Sequence, residues 1–215
     1  MRRSYLTRSV LLLAGTALTA LGVYMMLQAN VGLEPWSVFH QGLELTIGIS
    51  FGMASSLTGF LAILAAVIMG ESFGIGTIIN IVLCGVLLDV LNALAPIPFM
   101  TSTLPGVLLL FAGMLVLAVG TWLYMASELG SGPRDALTVA LARKVKRSVG
   151  PCRVTMDCTV TVLGFLMGGK IGIGTVLAAV FVGWMIDLTF RIVRFRPTEL
   201  QQENIAETMR NLLRR

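Results

Sequence analysis

Residues 74–89 read GIGTIINIVLCGVLLD, and residues 172–187 read GIGTVLAAVFVGWMID. Both stretches open on Gly-Ile-Gly-Thr, both carry a second glycine pair member at Gly85 or Gly183, and both close on an aspartate, Asp89 or Asp187. An ionisable residue is rare inside so apolar a stretch. The separation of 98 residues also pairs, without any gap, Gly22 with Gly120, Gly32 with Gly130, Pro35 with Pro133, Ser50-Phe51-Gly52 with Ser148-Val149-Gly150, and Gly70 with Gly168. Chance could match a few glycines, but not hold one register across half the chain and align the aspartates as well. Residues 1–96 are therefore expected to form a first membrane repeat and 97–194 a second, followed at 195–215 by a cytoplasmic amphipathic tail with Ile205, Met209 and Leu212 on one side.

Working outward, apolar runs recur at about 9–28, 51–69, 74–95, 105–126, 149–167 and 172–192. Each is close to the 20 or so residues that cross a hydrocarbon core of about 30 Å. Hydrophobic residues make up 56% of the 215 and charged ones 13%, with a mean hydropathy of +0.86, so little chain remains for a soluble catalytic domain. The expected fold class is an all-α polytopic membrane protein of about six transmembrane helices, with the lipid bilayer as its principal partner. The first run is too long for a signal peptide and has a counterpart later in the chain.

Three spans per repeat is an odd number, so the second repeat must enter the membrane from the opposite side. Charge agrees. An N-terminus in the cytoplasm puts fifteen of the 16 Lys and Arg residues inside, with Lys170 alone outside, while loop 29–50 holds Glu34 and Glu44 and no basic residue. The two repeats are thus expected in inverted topology in a bacterial cytoplasmic (inner) membrane, with both termini cytoplasmic. The net charge of +5 reports this orientation rather than a nucleic acid partner.

Each repeat is interrupted by a short segment that opens on proline, at Pro35 and at Pro133. Proline suits a first helical turn. Trp36, Phe39, Leu43 and Ile47 fall on one face of the first such helix, and Leu137, Leu141 and Val145 on one face of the second. A dozen or so residues reach only roughly 20 Å, so each is re-entrant or interfacial. A re-entrant pair would aim positive N-terminal ends at a solute, whereas an interfacial pair would anchor Trp36 and the basic stretch 143–147 in the headgroups.

The substrate-path candidates are Pro35, Trp36, His40, Gln41, Pro133, Arg134, Asp135, Arg153, Asp157, Thr77, Thr175, Asp89 and Asp187. Arg153 and Asp157 stand one helical turn apart inside the fifth span and replace Ser55 and Gly59 of the first repeat, which ranks them first. Asp89 and Asp187 fall far along their spans, near opposite membrane faces, where a polar cap is the plainer role. The Gly-Ile-Gly-Thr pairs are read as tight turns before packed helices, with an anion cradle as the alternative. His40 is the lone histidine, and without a second ligand nearby no metal site is expected. Cys84, Cys152 and Cys158 have neither metal-ligand spacing nor a disulfide framework. No cofactor is expected, and the absence of a Ser/His pair, a His-Glu motif or paired catalytic carboxylates argues against an enzyme.

The run Val31-Gly32-Leu33-Glu34-Pro35-Trp36-Ser37 with His40-Gln41-Gly42, its copy Leu129-Gly130-Ser131-Gly132-Pro133-Arg134-Asp135, and the glycine-rich run 168–175 resemble the YczE/YyaS/YitT family of bacterial integral membrane proteins. The resemblance covers most of residues 9–192 and implies the same fold class and location. The family's usual first copy reads Gly-Pro-Trp-Asp, from which Glu34 and Ser37 depart, while Asp135 keeps the carboxylate in the second copy.

Inverted repeats with broken segments at matching positions are a common build for alternating access, so the leading expectation is a small secondary transporter or permease for an unidentified small-molecule solute. The competing one is a membrane-embedded accessory or regulatory protein that grips a cytoplasmic partner through 143–147 and the tail. A homo-oligomer is compatible with either.

Overall fold

A computed structural model describes residues 4–195, 202–204 and 207. The expected amphipathic tail lies mostly outside the described residues. Eight helices and no strand occur among those described: α1 Tyr5–Gln28, α2 Pro35–Ile47, α3 Phe51–Ile68, α4 Ile75–Leu94, α5 Thr103–Met125, α6 Pro133–Val145, α7 Val149–Leu166 and α8 Ile173–Ile192. Six of them, all but α2 and α6, are long and apolar enough to cross a membrane. Their outer faces carry Leu61, Leu64, Ile68, Leu166 and Val176 uncovered by protein, as a lipid-facing surface requires. The chain is an integral membrane protein.

α2/α6, α3/α7 and α4/α8 begin and end at positions 98 residues apart. The backbone follows the same register between them. Positive φ occurs at Asn30 and Glu128 (54° and 58°), Gly32 and Gly130 (117° and 140°), Gly48 and Lys146 (71° and 53°), and Gly70 and Gly168 (91° and 92°). α1 and α5 cross along Gly15, Gly22, Gly113 and Gly120; a Cβ on Gly22 would lie 2.6 Å from the Leu117 nitrogen and 2.7 Å from the Gly113 oxygen. Small residues let these backbones touch, which is how helices associate where burial from water is no driving force. The largest core cluster gathers Tyr24 and Met26 of α1, Leu110 and Met114 of α5, Leu88 of α4 and Ala178 of α8.

Packing also exchanges between the halves. α1 lies on α4 as α5 lies on α8, and α2 lies on α7 as α6 lies on α3. The α3–α4 pairing is not matched: α3 runs along α4, whereas α7 and α8 do not pack on each other in the same way.

α2 and α6 each hold 13 residues. The first residues of α2, from Pro35 to Val38, are buried together with His40 and Gly42, while Ile47 at its far end is exposed. The expected apolar face of α6 is not the buried one: Ala136, Thr138, Ala140 and Ala142 turn inward and Val145 is exposed. The reason is distance. α6 lies against Ile63 and Ala66 of α3 through Ala136 and Ala140, a contact that larger side chains would hold apart.

Candidate functional site

The site begins with two crossings of extended chain. The Gly174 amide donates to Val31 O at 2.7 Å, and the Gly76 amide donates to Leu129 O at 2.9 Å. Each pair is the other with the halves exchanged. Gly32 and Gly130 carry positive φ here and abut the backbones of Gly172 and Gly74, so a side chain would be both strained and blocked. Thr77 Oγ1 donates to Ser131 O at 2.7 Å, and Thr175 Oγ1 accepts from the Gly172 amide at 3.1 Å. The Gly-Ile-Gly-Thr motifs therefore hold a chain crossing, and the Gly76 and Gly174 amides that an anion cradle would use are taken by carbonyl oxygens.

These crossings fix the starts of α2 and α6, and a network grows from them. Glu34, buried at the N-terminal end of α2, accepts from Arg134 Nη1 at 2.8 Å and from Ser37 Oγ at 3.3 Å. Its negative charge also suits the positive end of α2. The Arg134 guanidinium lies 5.0 Å from the centre of the Trp36 ring, and Trp36 Nε1 donates to Asp157 Oδ1 at 2.9 Å. Arg153 stands 3.6 Å from Asp135 and 4.0 Å from Asp157. The Tyr124 hydroxyl donates to Asp135 Oδ2 at 3.1 Å. Four helices thus contribute to one chain of polar contacts. The expected Arg153–Asp157 pair is part of it, but the short bond of Asp157 runs to Trp36 and Arg153 leans toward Asp135.

This network borders a cavity of about 590 Å³, into which Trp36, Pro133, Arg134, Asp135, Arg153 and Asp187 of the expected residues face. Pro35 and Asp157 line a smaller adjoining pocket of about 150 Å³, shared with Glu34, Trp36 and Arg134. Five candidates lie elsewhere. His40 is fully buried between α2 and α3, with Nε2 2.8 Å from Thr58 Oγ1 and its ring edge-on to Phe51. Gln41 accepts from the Lys170 amide at 2.8 Å on an exposed surface. Thr77 and Thr175 serve the crossings, and Asp89 caps α3, accepting from Ser50 Oγ at 2.5 Å and the Gly52 amide at 2.8 Å.

Sequence reasoning missed Glu34, Tyr124 and Asn80 as cavity residues. Asn80 Nδ2 donates to Thr16 Oγ1 at 2.9 Å, a polar pair between α4 and α1. Glu34 had a signal: a carboxylate at the mouth of one proline-opened helix, where the other half has Gly132 and then Arg134. Among the described residues no three His, Cys, Asp or Glu side chains converge as metal ligands would.

The model of a family described as "Family of unknown function (DUF6198)" matches residues 6–191. An "Uncharacterized protein" of Haemophilus influenzae is 30% identical over 193 residues, covering 90% of this chain and 87% of its own. The "Uncharacterized membrane protein YczE" of Bacillus subtilis is 29% identical over 213 residues, covering 98% and 95%. "Uncharacterized protein YyaS" of the same organism is 24% identical over 181 residues, covering 83% and 90%. No solved structure matches.

Proposed function

The chain belongs to the DUF6198 family, with YczE and YyaS among its relatives, and for this membrane protein we propose the role of a small secondary transporter or permease for a small polar solute. The observation that carries the reading is the cavity of about 590 Å³ with Glu34, Trp36, Arg134 and Arg153 in its wall. Charged groups within membrane helices are expensive and are kept where a solute or ion must pass. Under this reading residues 1–96 and 97–194 are inverted-topology repeats, the starts of α2 and α6 act as re-entrant half-helices, and both termini lie in the cytoplasm of a bacterial inner membrane. The exchange of hydrogen-bond partners between the halves supports the repeat, and the distribution of Lys and Arg supports the orientation.

The test is flux into proteoliposomes carrying the purified full chain, screened with radiolabelled amino acids, organic acids and small inorganic anions. Uptake above empty vesicles that Arg153→Gln and Asp157→Asn reduce is the expected result; no uptake of any of them counts against the reading.

A second reading, an accessory protein acting through a cytoplasmic partner, draws on the exposed Lys144, Lys146 and Arg147 at the end of α6. It expects charge reversal at those three residues to abolish function while Arg153→Gln and Asp157→Asn leave it intact.

A further inference from the structure

In the first half, α3 and α4 are clasped at one end. Ser50 Oγ and the Gly52 amide both donate to the Asp89 carboxylate, at 2.5 and 2.8 Å. Gly52 and Gly85 are buried against each other: a Cβ on Gly52 would fall on the Gly85 oxygen and lie 2.6 Å from the Asp89 carboxyl carbon, and one on Gly85 would fall on Ser56 Oγ. One turn further on, Ser56 Oγ donates to Ile81 O at 3.1 Å.

The second half holds the same four residues in the same register, Ser148, Gly150, Gly183 and Asp187, on helices of the same bounds. None of the clasp is made there. No described residue lies within 4 Å of a Cβ placed on Gly150 or Gly183, all four residues are exposed, and Asp187 has no hydrogen bond or ion pair among the described residues. The main cavity reaches into this gap, touching Gly150, Gly183 and Asp187. A glycine inside a helix costs about 1 kcal/mol relative to alanine, a cost that close helix contact offsets in α3–α4 and nothing offsets in α7–α8 as they stand.

We infer that Ser148, Gly150, Gly183 and Asp187 form a second gate, which closes α7 onto α8 through the counterparts of the Ser50–Asp89, Gly52–Asp89 and Gly52–Gly85 contacts, with Val154 standing where Ser56 bonds in the first half, and that the two gates close in alternation. Closing the second while the first opens presents the cavity at the opposite end of the bundle. This deepens the transporter reading and rests on it for the meaning of the two ends. With the N-terminus in the cytoplasm, the Asp89 gate is the outer one, and the state described here opens inward.

Cysteine pairs placed at matching points test the exchange without any solute. In the full chain in native membranes, with Cys84, Cys152 and Cys158 changed to serine, Ser56→Cys/Ile81→Cys reports the α3–α4 clasp and Val154→Cys/Ala179→Cys the α7–α8 clasp. Copper phenanthroline is the oxidant. Both pairs are expected to cross-link, the second more slowly, since covalent capture accumulates even a state populated at about 1%. Gly183→Leu supplies the control. Its side chain has room in the present state but would strike Gly150 in the closed gate. It is expected to cut the rate of the 154/179 cross-link by roughly tenfold or more while leaving the 56/81 cross-link as fast or faster. No 154/179 cross-link in the parent, or one that Gly183→Leu leaves unchanged, overturns the inference. Alternating cross-links without flux of any solute would leave the gates standing and remove the transport reading, so the two failures are distinct.

Discussion

The guanidinium of Arg134 stacks over the ring of Trp36 at 5.0 Å, and the two residues occupy the same position in the two halves of the chain, 98 residues apart. Under the proposed inverted-repeat reading, a residue that touches its own counterpart marks the line about which the halves exchange. At such a point identical charges would repel, whereas an arginine over an indole face is attracted to it. The neighbouring pair follows the same logic, since Glu34 corresponds to Gly132 and bonds to Arg134 instead of meeting a second carboxylate. Sequence divergence at the centre thus turns a symmetric crossing into an asymmetric polar site.

Removing one member of that site is expected to cost more than removing two. Arg134→Gln leaves Glu34 buried without its cation, a loss of roughly 2–4 kcal/mol. Arg134→Gln with Glu34→Gln removes both charges and should recover part of the loss. Thermal unfolding of the four proteins in detergent, read as a double-mutant cycle, checks this; additive effects would show that the pair is not energetically coupled.

The α1–α5 crossing sets a steric limit of a different kind. A side chain at Gly22 or Gly113 meets backbone atoms of the facing helix, which cannot rotate away. Gly22→Val or Gly113→Val is expected to destabilise by about 3 kcal/mol or more, seen as lost yield and a lowered midpoint in a detergent melt. Gly150→Ala, in open space at the start of α7, should change little by comparison.

The spans and their register were legible in the sequence, because a membrane imposes length and apolarity on every crossing helix and the glycines recur 98 residues apart in both halves. The site was legible in its location and only partly in its members. Pro35, Trp36, Pro133, Arg134 and Asp135 face the cavity or its side pocket because the crossings hold the helix starts there. His40 is one turn further along and packs against Thr58, a matter of helix phase that one amphipathic pattern on a helix enclosed on several sides over its first half does not report. The separation of α7 from α8 was not legible at all, since Gly150, Gly183 and Asp187 repeat the residues that clasp α3 to α4. The same residues stand in both arrangements, and only the packing distinguishes them.

Arg8 supplies a test of how the chain's last part is held. It is buried near the start of α1, donating to Ser127 O and Glu128 O at 2.7 Å each and to Glu203 at 2.9 Å. Glu203 also donates its amide to Glu128 O, so residues 202–204 lie across the end of α5. Glu203→Gln keeps the shape but removes the carboxylate charge that offsets the buried guanidinium, and is expected to cost about 3 kcal/mol. The loss should show as faster trypsin cleavage at the basic residues 191–196 in inside-out vesicles. Unchanged cleavage and an unchanged melt would mean that this pair does not fasten the segment.

Orientation is decided at two positions that the structure leaves open on the surface. His40 and Ala140, in the middle of α2 and α6, are buried and would resist labelling whichever side they faced. Thr46 and Lys144 are better, because both are exposed near the far ends of those helices and stand in matching positions of the two halves. Thr46→Cys in the cysteine-free chain is expected to react with a membrane-impermeant maleimide in spheroplasts, and Lys144→Cys only after the membrane is opened. Three spans separate the two sites, so an inverted arrangement requires opposite compartments, and under the proposed orientation the Lys- and Arg-rich surroundings of residue 144 are the cytoplasmic ones. Labelling of both from the same side would remove the inverted arrangement, and with it the alternation of the two gates across the membrane.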